Sequence, residues 1–154
     1  MAVAFGVDLV VPTALRPLLD SHLQIMQERQ DPRLSEARFR FLARSAPDEI
    51  RELLATEGYF SPRIEQSVSA IDTGWRAWVT VEPGEASRIA SVKLEFQGAF
   101  AEDAGTFGER STAMRRAWPL RTGMVFQDAL WADGKAKLIR ELHSKSYPAA
   151  RIVE

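Results

Sequence analysis

A chain of 154 residues holds either one ordinary domain or two small ones. Its 20 Lys and Arg balance 21 Asp and Glu, so no overall field draws it to nucleic acid or acidic lipid. Cys is absent, which excludes a disulfide framework and a thiolate metal site and fits a cytosolic or a periplasmic setting alike.

Met1 to Phe5 lack the basic start and long apolar run of a signal peptide. No stretch approaches the roughly 18 apolar residues of a membrane span. If the protein is exported and anchored, both signals are expected outside these residues.

Val7, Leu9 and Val11 alternate with Asp8 and Val10 before Pro12, which predicts a short strand. Leu15, Leu18, Leu19, His22 and Met26 then recur at helical spacing, with the helix proper starting at Pro17, where a missing N–H is harmless. Past Gln30-Asp31-Pro32, a second helical stretch carries Phe39, Phe41 and Leu42. Ser45-Ala46-Pro47-Asp48 has the S-x-x-D form of a helix start, followed by Ile50, Leu53 and Leu54 on one face. Gly58 stands where that helix should end, at the usual place for a left-handed residue.

Ile64, Gln66, Val68 and Ala70 next alternate with Glu65, Ser67 and Ser69. Beyond Asp72-Thr73-Gly74, Trp75, Ala77, Val79 and Val81 alternate with Arg76, Trp78, Thr80 and Glu82. Two alternating runs around a short Gly-containing loop predict a hairpin, which Pro83-Gly84 ends. Residues 1–84 therefore read β-α-α-β-β.

The order then restarts. Val92, Leu94 and Phe96 alternate with polar residues up to Gly98, and a helical segment spans Asp103 to Arg116. After the loop Trp118 to Gly123, Asp128 caps a helix bearing Leu130, Trp131, Leu138, Ile139 and Leu142. Gly134 within it should cost about 1 kcal/mol against Ala if exposed. Arg151-Ile152-Val153 begins a further extended run. Leu54-x-x-x-Gly58-Tyr59 corresponds to Leu142-x-x-x-Ser146-Tyr147, and Arg63-Ile64 to Arg151-Ile152 at the same offset. This is an internal repeat of a whole module. We expect two modules, 1–84 and 85–154, joined near Pro83-Gly84-Glu85, with the second lacking its last strand. Ser146, where the first copy has Gly, should cost a little at a left-handed position.

The same stretches carry no catalytic pattern. His22 and His143 have no partner at metal-ligand spacing, and the adjacent Ser21-His22 lacks the geometry of a nucleophile and its base. Asp48, Glu49 and Glu52 read as acidic residues favoured at a helix start. The glycines compose no phosphate-binding loop. Arg110, Arg115 and Arg116 read as a solvated helix face, and no strand carries the stacking aromatics of an RNA-binding sheet. The expectation is no enzyme, no metal, no organic cofactor and no nucleic acid.

Glu57-Gly58-Tyr59-Phe60, Val79-Thr80-Val81-Glu82-Pro83-Gly84, Arg88-Ile89-Ala90-Ser91-Val92 into Phe96-Gln97-Gly98, and Leu120-x-x-Gly123-x-x-Phe126 stand in the order of the POTRA family, which the chain resembles. The segment before Gly58 and the junction Pro83 to Ile89 look most like the first two modules of the outer-membrane subunit of the translocation and assembly module. The resemblance implies an α+β fold of tandem modules, each β-α-α-β-β with two helices on one face of a small mixed sheet. It implies a periplasmic location, a following barrel, and an inner-membrane-anchored partner subunit of that machine. Client outer-membrane or autotransporter polypeptides are the implied ligands. The POTRA region of a two-partner secretion transporter or a barrel-assembly factor, and a purely structural spacer, are the alternatives.

The expected docking site is the strand Ile64, Glu65, Gln66, Ser67, Val68, Ser69 and Ala70. Its hairpin partner is more apolar and should be interior, which leaves this strand with an unpaired backbone row. Such an edge can take up an extended peptide by strand addition. Trp75 shares a strand face with Ala77, Val79 and Val81 and should join the core, whereas Trp78 points the other way and is a second candidate contact.

Overall fold

The computed structural model describes residues 3–154, which form an α+β protein. The chain divides into two compact units, Met1–Ala86 and Ser87–Glu154. In the first, the order is β1 (Ala4–Val10), α1 (Arg16–His22), α2 (Gln24–Glu28), α3 (Glu36–Ala55), β2 (Arg63–Ile71) and β3 (Gly74–Glu82). The sheet order is β1-β3-β2, with β1 parallel and β2 antiparallel to β3. The alternation read from the sequence sets the layers. Ala77, Val79 and Val81 of β3 are buried under the helices, with Phe5, Val7, Ile64, Val68 and Trp75 packed around them.

α3 supplies most of the opposite wall: Phe39, Leu42, Ala43, Ala46, Ile50 and Leu54 recur three and four apart and are buried. Phe39 stacks against Phe5 of β1 with ring centroids 4.9 Å apart. Ser35 caps α3, its hydroxyl accepting the Arg38 N–H at 3.1 Å. The sequence predicts a fresh helix at Ser45, but α3 runs unbroken from Glu36 through Pro47 to Ala55. The two apolar stretches share one face, and burying that face outweighs the backbone bond that Pro47 removes. Ser45, read as a cap, instead donates its hydroxyl to the Phe41 carbonyl at 2.9 Å, a mid-helix habit of serine.

The first predicted helix departs the other way. It breaks at Leu23, which is extended (φ −72°, ψ 123°) and wholly buried. The break turns Leu19, Leu23 and Ile25 all inward, which one continuous helix would not do. The Glu49 carboxylate accepts the Gln24 N–H at 3.0 Å and so caps the second piece. Glu49, one of the acidic residues placed at a helix start by the sequence, serves the start of a different helix.

In the second unit α5 (Phe107–Ala117) and α6 (Asp128–Ser144) answer to the two predicted helices, and a short α4 (Ala99–Glu102), which the sequence does not predict, precedes them. Phe100 makes edge contacts with Phe96, Phe107 and Tyr147 at 5.2, 5.3 and 5.4 Å. Trp118 meets Trp131 edge-on at 5.5 Å. Gly134 is not the exposed cost that the sequence reading allowed for. It is buried, and a Cβ there would come within 2.7 Å of the Trp118 ring and 2.9 Å of Pro119.

The predicted strand Val92 to Phe96 forms no ladder; among the described residues of this unit, β pairing is a single antiparallel bridge, Arg88 to Val125. In the first unit, by contrast, β1 and β2 each pair with β3 and not with one another.

Candidate functional site

The candidate site is the outer edge of β2. Ala4 N–H donates to the Thr73 carbonyl at 3.0 Å, and Ala4 lies in register with Gly74. In a parallel pair this turns the backbone groups of Trp75, Ala77, Val79 and Val81 toward β1. Arg76, Trp78, Thr80 and Glu82 therefore turn theirs toward β2, opposite Ser69, Ser67, Glu65 and Arg63. Ile64, Gln66, Val68 and Ala70 remain with N–H and C=O directed away from the sheet. Their side chains lie on the helix side, where Ile64 and Val68 pack against the core. Glu65, Ser67 and Ser69 are exposed on the opposite face.

The sheet's other edge is not equally open. By the same alternation, Phe5, Val7 and Leu9 direct their backbone groups outward from β1. Arg16 donates Nη1 to the Leu9 carbonyl at 2.7 Å and covers that end of the row. Among the described residues, no side chain bonds to the outward row of β2. Sequence reasoning missed this asymmetry, because nothing in the spacing of Leu9 and Arg16 tells that a loop folds the guanidinium back onto the strand.

Trp78 lies one strand in from the edge, facing away from the helices between Ser67 on β2 and Asp8 on β1, and is 38% exposed. Next to it in the ladder, Arg76 grips Asp8 through two hydrogen bonds of 2.5 and 2.8 Å. The Arg76 hydrogen bonds hold the Asp8 carboxyl below its ordinary range, and Asp8 in turn raises Arg76. This pair joins positions 68 residues apart in the chain, so only the parallel pairing of β1 with β3 reveals it. Trp75, on the buried side, carries the Arg40 guanidinium 4.9 Å from its ring centroid.

The remaining candidate groups do not converge. His22 is exposed at the end of α1, and His143 Nε2 lies 2.9 Å from the Ala150 carbonyl. Among the described residues, no three His, Asp or Glu gather in a set able to hold a metal. Asp48 pairs with Arg51 at 2.9 Å. Arg110 bonds to the backbone of Glu141 and Lys145, and Arg115 to that of Leu94. These guanidinium groups tie helices and loops together rather than forming one basic face. Among the described residues, no helix is long and apolar enough to cross a membrane.

Residues 11–83 match the family model for the POTRA domain, TamA domain 1. No curated protein matches the chain. Among solved structures the chain is similar to the crystal structure of Haemophilus influenzae BamA POTRA3-5, at 15% identity and a TM-score of 0.44. That match covers 90% of this chain and 49% of the other, so the chain spans about half the length of that structure. The family match runs from just after β1 to just after β3 and takes in all the helices of the first unit, so the match supports a POTRA domain of TamA type at residues 11–83.

Proposed function

We propose that the chain is a periplasmic polypeptide-handling part of an outer-membrane protein assembly and translocation machine, with two successive POTRA modules, 1–84 and 85–154. Extended segments of client outer-membrane or autotransporter polypeptides dock along β2 of the first module by strand addition. A barrel and an inner-membrane-anchored partner subunit complete the machine. The role is that of a scaffold rather than a catalyst.

One observation carries the reading: Ile64, Gln66, Val68 and Ala70 present an uncovered backbone row, while Arg16 covers the end of the rival row on β1. Backbone bonds along β2 supply affinity that is tolerant of sequence, which suits a site that meets many clients. Half-buried Ile64 and Val68 favour apolar residues on the helix side of the incoming strand. Exposed Glu65, Ser67 and Ser69 keep the empty edge soluble.

The test is a pair of proline variants. Val68→Pro removes an outward N–H and leaves the β2–β3 ladder intact, so the module should stay folded and lose affinity about tenfold or more for a synthetic peptide with the alternation of a barrel strand. Ser67→Pro removes an N–H directed at β3 and should lower thermal stability instead. Undiminished binding by a folded Val68→Pro would exclude docking at this edge.

A further inference from the structure

The sheet of the first unit has a face turned away from the helices, and Trp78 stands at its centre. Asp8 of β1 and Ser67 of β2 lie level with Trp78 in the ladder. Gly6, Arg76 and Ser69 make the row on one side, and Val10, Thr80 and Glu65 the row on the other. Alternation along each strand puts all of these residues on the same face. Arg76 donates Nη2 to Asp8 at 2.8 Å, and a Cβ at Gly6 would stand 3.0 Å from its Nη1, so the guanidinium lies over β1. On the β2 side the neighbours of Trp78 are the short Ser67 and Ser69, and Trp78 is 38% exposed.

The polar groups around the indole have no partners within the chain. Among the described residues, the hydroxyls of Ser67, Ser69 and Thr80, the Glu65 carboxylate and the Trp78 indole N–H make no hydrogen bond. Neighbouring strands lie about 4.8 Å apart, a spacing close to the width of one pyranose ring. The charge on the face argues against other ligands. Asp8, Glu65 and Glu82 share it with Arg63 and Arg76, a balance that disfavours a phosphate backbone or an anionic headgroup. The apolar cover is too broken for a protein core contact: exposed Trp78 and Val10 stand on a diagonal, with Asp8 and Thr80 at the other two corners.

We infer that this face binds an uncharged glycan of β-linked, gluco-configured pyranoses, one ring stacking on Trp78 while its hydroxyls meet Ser67, Ser69 and Glu65. Such a ring holds its hydroxyls equatorially and carries only axial C–H groups on its faces. It therefore offers an apolar face to the indole and a polar rim to the hydroxyls and carboxylate around it. A single aromatic platform with a few convergent polar groups fixes both the seat and the orientation of the ring. The site uses side chains of the outer face and not the backbone row of β2, so it stands apart from the docking proposed there.

Tetra-N-acetylchitotetraose is the probe, with α-linked maltotetraose as the comparison. Added to the ¹⁵N-labelled 154-residue chain, the chitotetraose should bind saturably, with a dissociation constant on the order of 1 mM or below. It should shift the Trp78 indole N–H and the amides of Ser67 and Ser69, and leave hydrogen exchange at Gln66, Val68 and Ala70 unchanged. Trp78→Ala and Ser67→Val both lie on the exposed face, and each should weaken binding about tenfold or more while the amides of β3 stay protected. Maltotetraose should bind about tenfold more weakly than the chitotetraose. No saturable shift at the Trp78 indole up to about 10 mM chitotetraose would overturn the inference. Undiminished binding by a folded Trp78→Ala, or equal binding of maltotetraose, would overturn it as well.

Discussion

At Gly58 the backbone φ is 88°, and at Ser146 it is 96°. Both residues close a helix in the same way: Tyr59 N–H reaches back to the Leu54 carbonyl at 3.0 Å, and Tyr147 N–H to that of Leu142 at 3.0 Å. The left-handed cap expected at Gly58 is thus present, and the repeat seen in the sequence extends to the bonding of its caps. Gly58→Val should destabilise the first unit by about 1–2 kcal/mol, because a β-branched residue tolerates this region poorly. Ser146→Gly should stabilise the second by about 1 kcal/mol. Urea unfolding of both variants checks the pair, and an unchanged midpoint in Gly58→Val would contradict the cap. Asp8 offers a titration at the same scale. Its carboxyl is held below the ordinary value by Arg76, so the pair stabilises the fold above the ordinary carboxylate pKa and ceases to as pH falls through the depressed value. Melting temperature should therefore fall less steeply with acid in Asp8→Asn than in the parent, measured from pH 6 to pH 2. Parallel curves would show that the pair adds nothing, as many exposed pairs do.

At the scale of the element, much of the fold was legible because period-2 and period-3.6 patterns report burial directly. β2 and β3 read correctly from Ile64 to Glu82, including the edge position of β2 and the opposite faces of Trp75 and Trp78. The failures share a cause, which is tertiary cover overriding a local signal. Pro47 reads as a helix start, yet the common apolar face of Phe39 and Ile50 carries the helix across it. Leu23 reads as helix, yet burial of Leu19, Leu23 and Ile25 together requires a break. Val92 to Phe96 reads as strand but pairs with no other segment among the described residues. Of the candidate site, the edge was legible and its rival's cover was not, since Arg16 reaches Leu9 through tertiary placement. Pro47 gives a prediction here. An interior proline costs about 3 kcal/mol against Ala, part of which α3 has absorbed in its geometry. Pro47→Ala should raise the melting temperature of the first unit by an amount equivalent to about 1 kcal/mol or more. A lower melting temperature would mean that the proline is needed to lay Ile50 and Leu54 onto the sheet.

Over the whole molecule, the two units differ in how completely each covers its helices. The first has its central strand and a finished core, and what it leaves open is a line of backbone groups on β2. The second keeps an apolar groove beside α6. Amide hydrogen exchange tests the proposed strand addition at β2 most directly. On saturation with a barrel-strand peptide, exchange should slow at Gln66, Val68 and Ala70, with Ser67 and Ser69 changed little because the ladder already protects them. Saturable binding with those three amides unaltered, or with new protection at Phe5 and Val7 along β1, would contradict the account.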